Sequence, residues 1–203
     1  MKELSVDRHY LVERAVELIE INSVNPSLVP DGAGEARAAL AMAARMRDLG
    51  LEAALYEAPQ GRFSVVGILR GSDGGRSLMW NGHLDTVGVE GMENPFRAEV
   101  SGGRIRGRGA YDMKGALAAS LAALKALRDA GVSLRGDILL AAVADEEYAS
   151  LGTEEVLRHH RPTAAVVTEA TGMRVGLAHK GFVWLEVETV GRAAHGSRFD
   201  EGI

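Results

Sequence analysis

A run of seven apolar residues, Ile138–Ala144, most constrains the fold of this chain. It stands between Asp137 and Asp145. A short apolar run bounded in this way is typical of a strand that is buried on both faces of a sheet. Sheets of that kind belong to α/β folds, in which helices cover both faces. We therefore expect an α/β domain built around this strand.

The rest of the chain up to Gly172 alternates between helical and strand patterns. Helices are predicted over residues 6–20, 35–49, 113–128 and 153–160, and further strands over 51–56, 63–69, 78–82 and 164–168. Ser5 is the expected N-cap of the first helix, and Gly50 and Gly131 stand where helices commonly end. The predicted fold class is α/β: a mixed, mostly parallel sheet flanked by helices, over residues 1–172.

The pattern changes after Arg174. Val183, Leu185 and Val187 alternate with Trp184 and other residues of a different face, which predicts a long strand with two unlike sides. We place a domain boundary near residue 172 and expect residues 173–203 to begin a second, α+β domain.

Composition limits the chemistry. The chain has 203 residues, with 28 acidic and 23 basic side chains, a net charge of −5 and no cysteine. Without a cluster of lysine and arginine, nucleic-acid binding is disfavoured. Without cysteine, a disulfide framework, a thiol nucleophile and a thiolate metal site are excluded, so any metal must be held by histidine and carboxylate.

The apolar runs also bear on location. None approaches the roughly 20 residues that span a bilayer. The segment from Met1 to Glu13 is charged and does not resemble a secretory signal. We expect a soluble, cytoplasmic protein with no membrane partner.

Two polar clusters precede the 113–128 helix. His83 and Asp85 follow a predicted strand two residues apart, so both leave it on the same side. Asp85 could then orient the His83 ring, although a polar strand end is the simpler interpretation. Asp112 lies in the glycine-flanked segment Gly107–Gly115, directly before the helix, where it could be a metal ligand or merely a helix cap.

Two further acidic clusters follow predicted strands. Asp145, Glu146 and Glu147 come directly after the apolar run, and Glu169 ends the strand at 164–168. Adjacent acids repel one another where solvent is partly excluded, and a cation would offset that cost. The alternatives are a solvated acidic turn and a solvent-facing glutamate. Read together, one histidine and several carboxylates at strand ends suit a dinuclear zinc, cobalt or manganese site.

Four segments, taken in order, resemble a known family. Asn81–Val87, Gly107–Gly115, Asp145–Glu147 and Gly191–Ser197 are similar to the motifs of the co-catalytic zinc amidohydrolases. That family includes acetylornithine deacetylase, succinyl-diaminopimelate desuccinylase, aminoacylase, carboxypeptidase G and related dipeptidases. The resemblance implies a zinc exopeptidase-like catalytic domain followed by a lid, or dimerisation, domain.

The resemblance also implies roles for individual residues. Asp112 would bridge two metal ions, His83 and Glu169 would complete one site, and Glu147 would serve the other. Glu146 would be the general base and Asp85 the partner of His83. The family often has a cis peptide bond after the bridging aspartate, here Asp112–Met113.

The lid carries one more implied role. His195 would reach the partner subunit's active site and steady the oxyanion, within a homodimer that pairs through the lid. In the family, a further histidine for the second metal comes from far downstream, and this chain ends at Ile203, within an expected lid helix that begins near Phe199. Ala170 stands where the family commonly has proline.

These implications favour a metal-dependent hydrolase of amide bonds in N-acyl amino acids or short peptides. The expected cofactors are two divalent ions, zinc first, with cobalt or manganese as alternatives. Two other functions stay open: an inactive fragment with a binding or dimerisation role, and a two-metal aminopeptidase. The acyl group and the amino acid are not specified by these motifs.

Overall fold

The structure, a computed structural model, describes residues 3–178, 180–181, 183, 185–188 and 190–202. It divides into two compact units, Met1–Ala170 and Thr171–Ile203. The helices are Arg8–Ile19 (α1), Ala36–Asp48 (α2), Lys114–Asp129 (α3) and Leu151–His159 (α4). The strands are Glu52–Ala58 (β1), Arg62–Leu69 (β2), Leu78–His83 (β3), Glu99–Ser101 (β4), Arg104–Arg106 (β5), Ile138–Val143 (β6) and Ala164–Val167 (β7).

Five strands of the first unit form one sheet in the order β1-β2-β6-β3-β7. Strands β3 and β6 are parallel, as are β3 and β7, whereas β2 is antiparallel to both β1 and β6. Four of the five strands therefore run in one direction, and the prediction of a mixed, mostly parallel sheet is confirmed. The carboxyl ends of β3, β6 and β7 meet at one edge of this sheet.

Strand β6 lies at the centre of the core, as the apolar run predicts. Leu140 and Ala142 pack on one face with residues of α2 and α3. Leu139 and Val143 pack on the other face, against Val156 of α4. Because successive side chains of a strand point to opposite faces, an unbroken apolar sequence is what this position requires.

Two local features differ from expectation. Helix α1 begins at Arg8 with Asp7 as its N-cap, and the Asp7 carboxylate accepts the Tyr10 N–H at 3.0 Å. The prediction of Ser5 as this cap is wrong, because a capping side chain must stand at the residue before the helix to reach its first free N–H groups. Strands β4 and β5 form an exposed hairpin that the sequence pattern did not indicate.

The second unit contains less regular structure than expected. None of the described residues between 174 and 190 is in a strand, so the long strand predicted there is wrong for those residues. Val183, Leu185 and Val187 are more than four-fifths exposed, and Trp184 lies outside the described residues. A strand needs a neighbour for its backbone hydrogen bonds, and within the described part of this unit no such neighbour is present.

The described residues near Phe199 do not form the start of an α-helix, which was expected there. A single 3₁₀ turn, Phe199–Glu201, forms where that helix was expected. The assignment of residues 173–203 to a lid stays a prediction. Among the described residues, no helix has the length and apolar character needed to cross a membrane.

Candidate metal centre

His83 is the last residue of β3, and its side chain is almost fully buried. Its Nδ1 atom lies 2.9 Å from the main-chain oxygen of Asp85. A carbonyl oxygen can only accept, so Nδ1 carries the hydrogen of this bond. In the neutral ring, Nε2 is then the unprotonated nitrogen that can bind a metal. Strand position and one hydrogen bond thus orient the imidazole so that Nε2 is the ring nitrogen available to a metal.

Asp112 lies opposite that nitrogen, with Oδ1 2.9 Å from His83 Nε2. The loop that carries Asp112 turns at Gly109, whose φ of +77° lies in the left-handed region that favours glycine, and the Lys114 N–H donates to the Gly109 carbonyl at 2.8 Å. No side chain caps α3, whose N-cap residue is Met113. The alternative interpretation of Asp112 as a helix cap is therefore wrong, and the expected cis peptide bond, Asp112–Met113, is present.

Glu169 completes a group of three. It follows β7, and its Oε1 lies 3.8 Å from His83 Nε2. One ligand atom from each of His83, Asp112 and Glu169 lies within 4.8 Å of the others. Two ligands of a tetrahedral zinc ion lie about 3.3–3.6 Å apart, given metal–ligand bonds of about 2.0–2.2 Å. The separations of 2.9 and 3.8 Å bracket that value. An imidazole and two carboxylates in this arrangement fit a divalent ion.

The turn after β6 brings a further carboxylate to the group. Glu146 Oε2 lies 3.8 Å from His83 Nε2. Glu147 is not a member of the three-residue group. Its expected role as a ligand of a second metal stays a prediction.

Asp85 is fully buried, and its carboxylate binds the backbone of this turn. One carboxylate oxygen accepts the Glu146 N–H at 3.1 Å, and the other accepts the Glu147 N–H at 3.2 Å. The same carboxylate lies 3.5 Å from His83 Nδ1, farther than the Asp85 main-chain oxygen that bonds to the ring. Asp85 therefore links the histidine to both glutamates, a wider connection than the sequence suggested.

Burial makes ionisation of the two glutamates of this turn, Glu146 and Glu147, less favourable than in water. Burial raises the pKa of Glu147 to about 7, despite the opposing effect of His83, and raises the pKa of Glu146 for the same reason. Burial lowers the pKa of His83, but hydrogen bonds to Asp112 and Asp85 raise it by more, to about 11. Several carboxylates thus share a single imidazole, and a divalent cation would stabilise their ionised forms.

Sequence reasoning missed three residues beneath the turn: Asn25, Glu35 and Arg62. All three are buried and connect to Asp145 or Asp85. Each stands alone in a different part of the chain, so no spacing or motif marked them. Asp145 itself is fully buried and pairs with Arg62 at 2.8 Å. The interpretation of residues 145–147 as a solvated acidic turn is therefore wrong for Asp145.

His195 belongs to the second unit and is exposed. Its Nδ1 lies 2.9 Å from Ser197 Oγ. The proposed role of His195 in oxyanion stabilisation stays a prediction.

The site combines a His/carboxylate group with a mostly parallel sheet, as expected of a metallohydrolase. Residues 79–195, more than half of the chain, match Peptidase family M20/M25/M40. The chain belongs to this family. The family resemblance inferred from the four motifs is thereby confirmed.

Two curated relatives illustrate the range of the family. The chain is 32% identical over 166 residues to N-formyl-4-amino-5-aminomethyl-2-methylpyrimidine deformylase of Halalkalibacterium halodurans. The alignment covers 78% of this chain and 39% of the relative. It is 31% identical over 170 residues to acetylornithine deacetylase of Photorhabdus laumondii, and this alignment covers 80% of this chain and 43% of the relative. The chain thus spans about two-fifths of the length of these relatives.

A solved structure supports the fold. An M20 family metallo-carboxypeptidase from Sulfolobus solfataricus, Sso-CP2, aligns with a TM-score of 0.68 at 23% identity. The alignment covers 78% of this chain and 37% of that protein. At this identity the likeness concerns the fold alone.

Proposed function

We propose that this chain contributes the metal-binding and proton-transferring residues of an amide hydrolase that acts on N-acyl amino acids or short peptides. The observation that carries the proposal is the convergence of His83, Asp112 and Glu169 within 4.8 Å, beside Glu146. Membership of the M20/M25/M40 family supports the reaction class. The relatives named as a deformylase and a deacetylase support an acyl group on nitrogen as the reacting centre.

Two divalent ions are the proposed cofactors. His83, Asp112 and Glu169 would hold one ion, and Asp112 with Glu147 would contribute to holding the other. Zinc is the metal we propose, with cobalt and manganese as alternatives, because imidazole and carboxylate suit all three. When bound, the ions would polarise the amide carbonyl and lower the pKa of a water molecule.

Glu146 is the proposed general base. It takes a proton from the attacking water and returns it to the leaving amine, which balances the proton over the reaction. A carboxylate whose pKa is raised by burial is better matched to proton transfer near neutral pH than an ordinary glutamate. Asp85 keeps Glu146 in place through the main-chain N–H, and His195 would stabilise the oxyanion.

The proposal extends to organisation. Residues 1–172 would be part of the catalytic domain and residues 173–203 part of a lid through which two copies pair. A cytoplasmic location stays a prediction from the sequence.

The Glu146→Gln variant tests the proposal in protein expressed from the complete gene. We expect kcat on an acylated amino acid or a dipeptide to fall by about 10²–10⁴-fold, the range for loss of a general base. Bound zinc should stay unchanged, because the three-residue group does not include Glu146. Glu154→Gln, an exposed glutamate of α4, is the matched control and should keep full activity. Undiminished turnover by Glu146→Gln would contradict the assignment.

A further inference from the structure

A buried ionic network lies directly beneath the turn that carries Glu146 and Glu147. Arg62, the first residue of β2, has its side chain only 3% exposed. Its Nε donates to Glu35 at 2.9 Å, a second nitrogen also pairs with Glu35, and Nη1 donates to Asp145 at 2.8 Å. Glu35 and Asp145 are themselves buried.

This network is not explained by stability alone. One guanidinium and two carboxylates lose nearly all contact with water, and the desolvation cost of such groups commonly matches or exceeds their mutual attraction. In other proteins, replacing buried ion pairs with apolar side chains of similar volume is often neutral or stabilising. We therefore ask which backbone conformation these charged side chains hold in place.

The charged side chains fix the backbone conformation of Asp145. Its φ is +64°, a left-handed conformation that is uncommon for residues other than glycine. The carboxylate is held by Arg62, and the main-chain N–H donates to Glu35 at 3.3 Å. The Asp145 carbonyl accepts the N–H groups of Ala149 and Ser150 at 3.1 and 2.6 Å. The residue at which the chain leaves β6 is thus fixed at both its side chain and its backbone.

Asn25 joins this network to Asp85. Its Nδ2 donates to Asp85 at 2.7 Å and to Asp145 at 3.1 Å, and the residue is fully buried. An amide nitrogen carries two hydrogens, so one group can serve both carboxylates. Asp85 in turn accepts the N–H groups of Glu146 and Glu147. The backbone of the two glutamates is consequently held in two ways, through the preceding residue Asp145 and through the Asp85 carboxylate. Asn25 connects Asp145 and Asp85.

We propose that Arg62 and Asn25 are positioning residues that set the Glu146–Glu147 backbone for catalysis. The inference rests on the proposed function of those glutamates. Both positioning residues lie outside residues 79–195, the segment that matches the family. They act through Asp145 and Asp85 and touch neither the three-residue metal group nor a reacting atom.

The test uses Arg62→Met and Asn25→Ser in protein expressed from the complete gene, with zinc supplied. Arg62→Met removes the charge that holds Asp145, and Asn25→Ser removes the bridge without adding charge. We expect kcat to fall by 10–100-fold, the usual effect of losing a group that orients active-site residues, while KM changes less than about threefold. Circular dichroism verifies folding, and Asn25→Ser decides the question if Arg62→Met does not fold.

Arg70→Met is the matched control. Arg70 also pairs with two carboxylates, Glu52 and Asp137, but it is exposed. Its removal should leave kcat unchanged.

A second readout does not depend on activity. Amide hydrogen exchange in the metal-free chain should accelerate at least about tenfold at Glu146 and Glu147 in Asn25→Ser, with no change in β1. Loss of local order at the turn predicts this pattern, whereas a general loss of stability would accelerate exchange in both places.

The outcomes separate the two proposals. Hydrolysis by the unaltered protein, combined with kcat within twofold in Asn25→Ser and unchanged exchange at the turn, overturns the positioning role and leaves the proposed function intact. An unaltered protein that neither binds zinc nor hydrolyses any acyl amino acid or dipeptide overturns the proposed function, and the positioning role with it.

Discussion

The Asp85 carboxylate accepts the main-chain N–H of Glu146 at 3.1 Å across a separation of 61 residues. This bond ties the end of β3 to the end of β6, two parallel neighbours of the sheet. Parallel strands place their carboxyl ends at the same edge, so residues far apart in sequence meet there. The candidate metal centre is a consequence of that topology.

Asp85→Asn should weaken the site. An amide has one accepting oxygen, so it cannot accept two N–H groups on separate oxygens, and its NH₂ group would face N–H donors. We expect zinc affinity to fall by about 10–100-fold and the free energy of unfolding to fall by about 1–3 kcal/mol. Zinc titration calorimetry and urea unfolding measure the two effects.

Asp137→Asn is the control for that prediction. Asp137 precedes β6 at its opposite end and accepts the Gly71 N–H at 2.9 Å. Its replacement should not change zinc affinity. Equal zinc affinities for Asp85→Asn and the unaltered chain would contradict the role given to Asp85.

Gly152→Ala should destabilise the chain, although helix propensity alone favours alanine by about 1 kcal/mol. Gly152 is a buried residue of α4, and a Cβ there would lie 2.4 Å from the Ala144 main-chain nitrogen and from Ser64 Oγ. Ala144 directly follows the central strand β6 and is fully buried, so its backbone has little room to move and overpacking outweighs propensity. We expect a net loss of about 1–3 kcal/mol in the free energy of unfolding.

Gly176→Ala is its control, because a Cβ at Gly176 meets no atom within 4 Å. Urea unfolding of both variants measures the difference. A Gly152→Ala protein at least as stable as the unaltered chain would show that α4 does not approach β6 as closely as described.

The stability of the fold should fall in mild acid through His160. Burial lowers the pKa of His160 below its ordinary value of 6.5, with His159 and Arg70 as smaller causes, and its Nε2 lies 2.6 Å from the Tyr56 hydroxyl. Above pH 6.5 the ring is neutral in both folded and unfolded states, so its contribution is complete. As pH falls from 6.5 toward the lower folded-state pKa, the unfolded chain binds the proton first and stability is lost.

His160→Gln removes this titration. Urea unfolding between pH 7.5 and 5.0 should therefore give a shallower loss of stability in the variant than in the unaltered chain. Parallel pH dependences for the two proteins would exclude the effect.

Sequence reasoning reached the sheet and most of the site for identifiable reasons. The seven-residue apolar run predicted β6 to within one residue at each end, because a strand buried on both faces cannot include polar side chains. His83, Asp112 and Glu169, which the structure brings together, could be singled out because each follows a periodic segment or lies in a distinctive motif. Asn25 and Arg62 were not found, since a partner 60 or 83 residues away leaves no local pattern.

In the second unit, the sequence pattern predicted a strand that the described residues do not form. Alternation at Val183, Leu185 and Val187 predicts a strand only if a neighbouring strand pairs with it, and alternation carries no information about that neighbour.

Zinc titration calorimetry of this chain at pH 7.5, compared with the variant His83→Ala, tests the central claim most directly. The three-residue group loses its only imidazole in that variant, so we expect zinc affinity to fall by at least about 100-fold, the upper range for residues that merely support a ligand. His159→Ala, an exposed histidine paired with Glu155, should bind zinc as the unaltered chain does. Equal zinc affinity in His83→Ala and the unaltered chain would contradict the assignment of this metal centre.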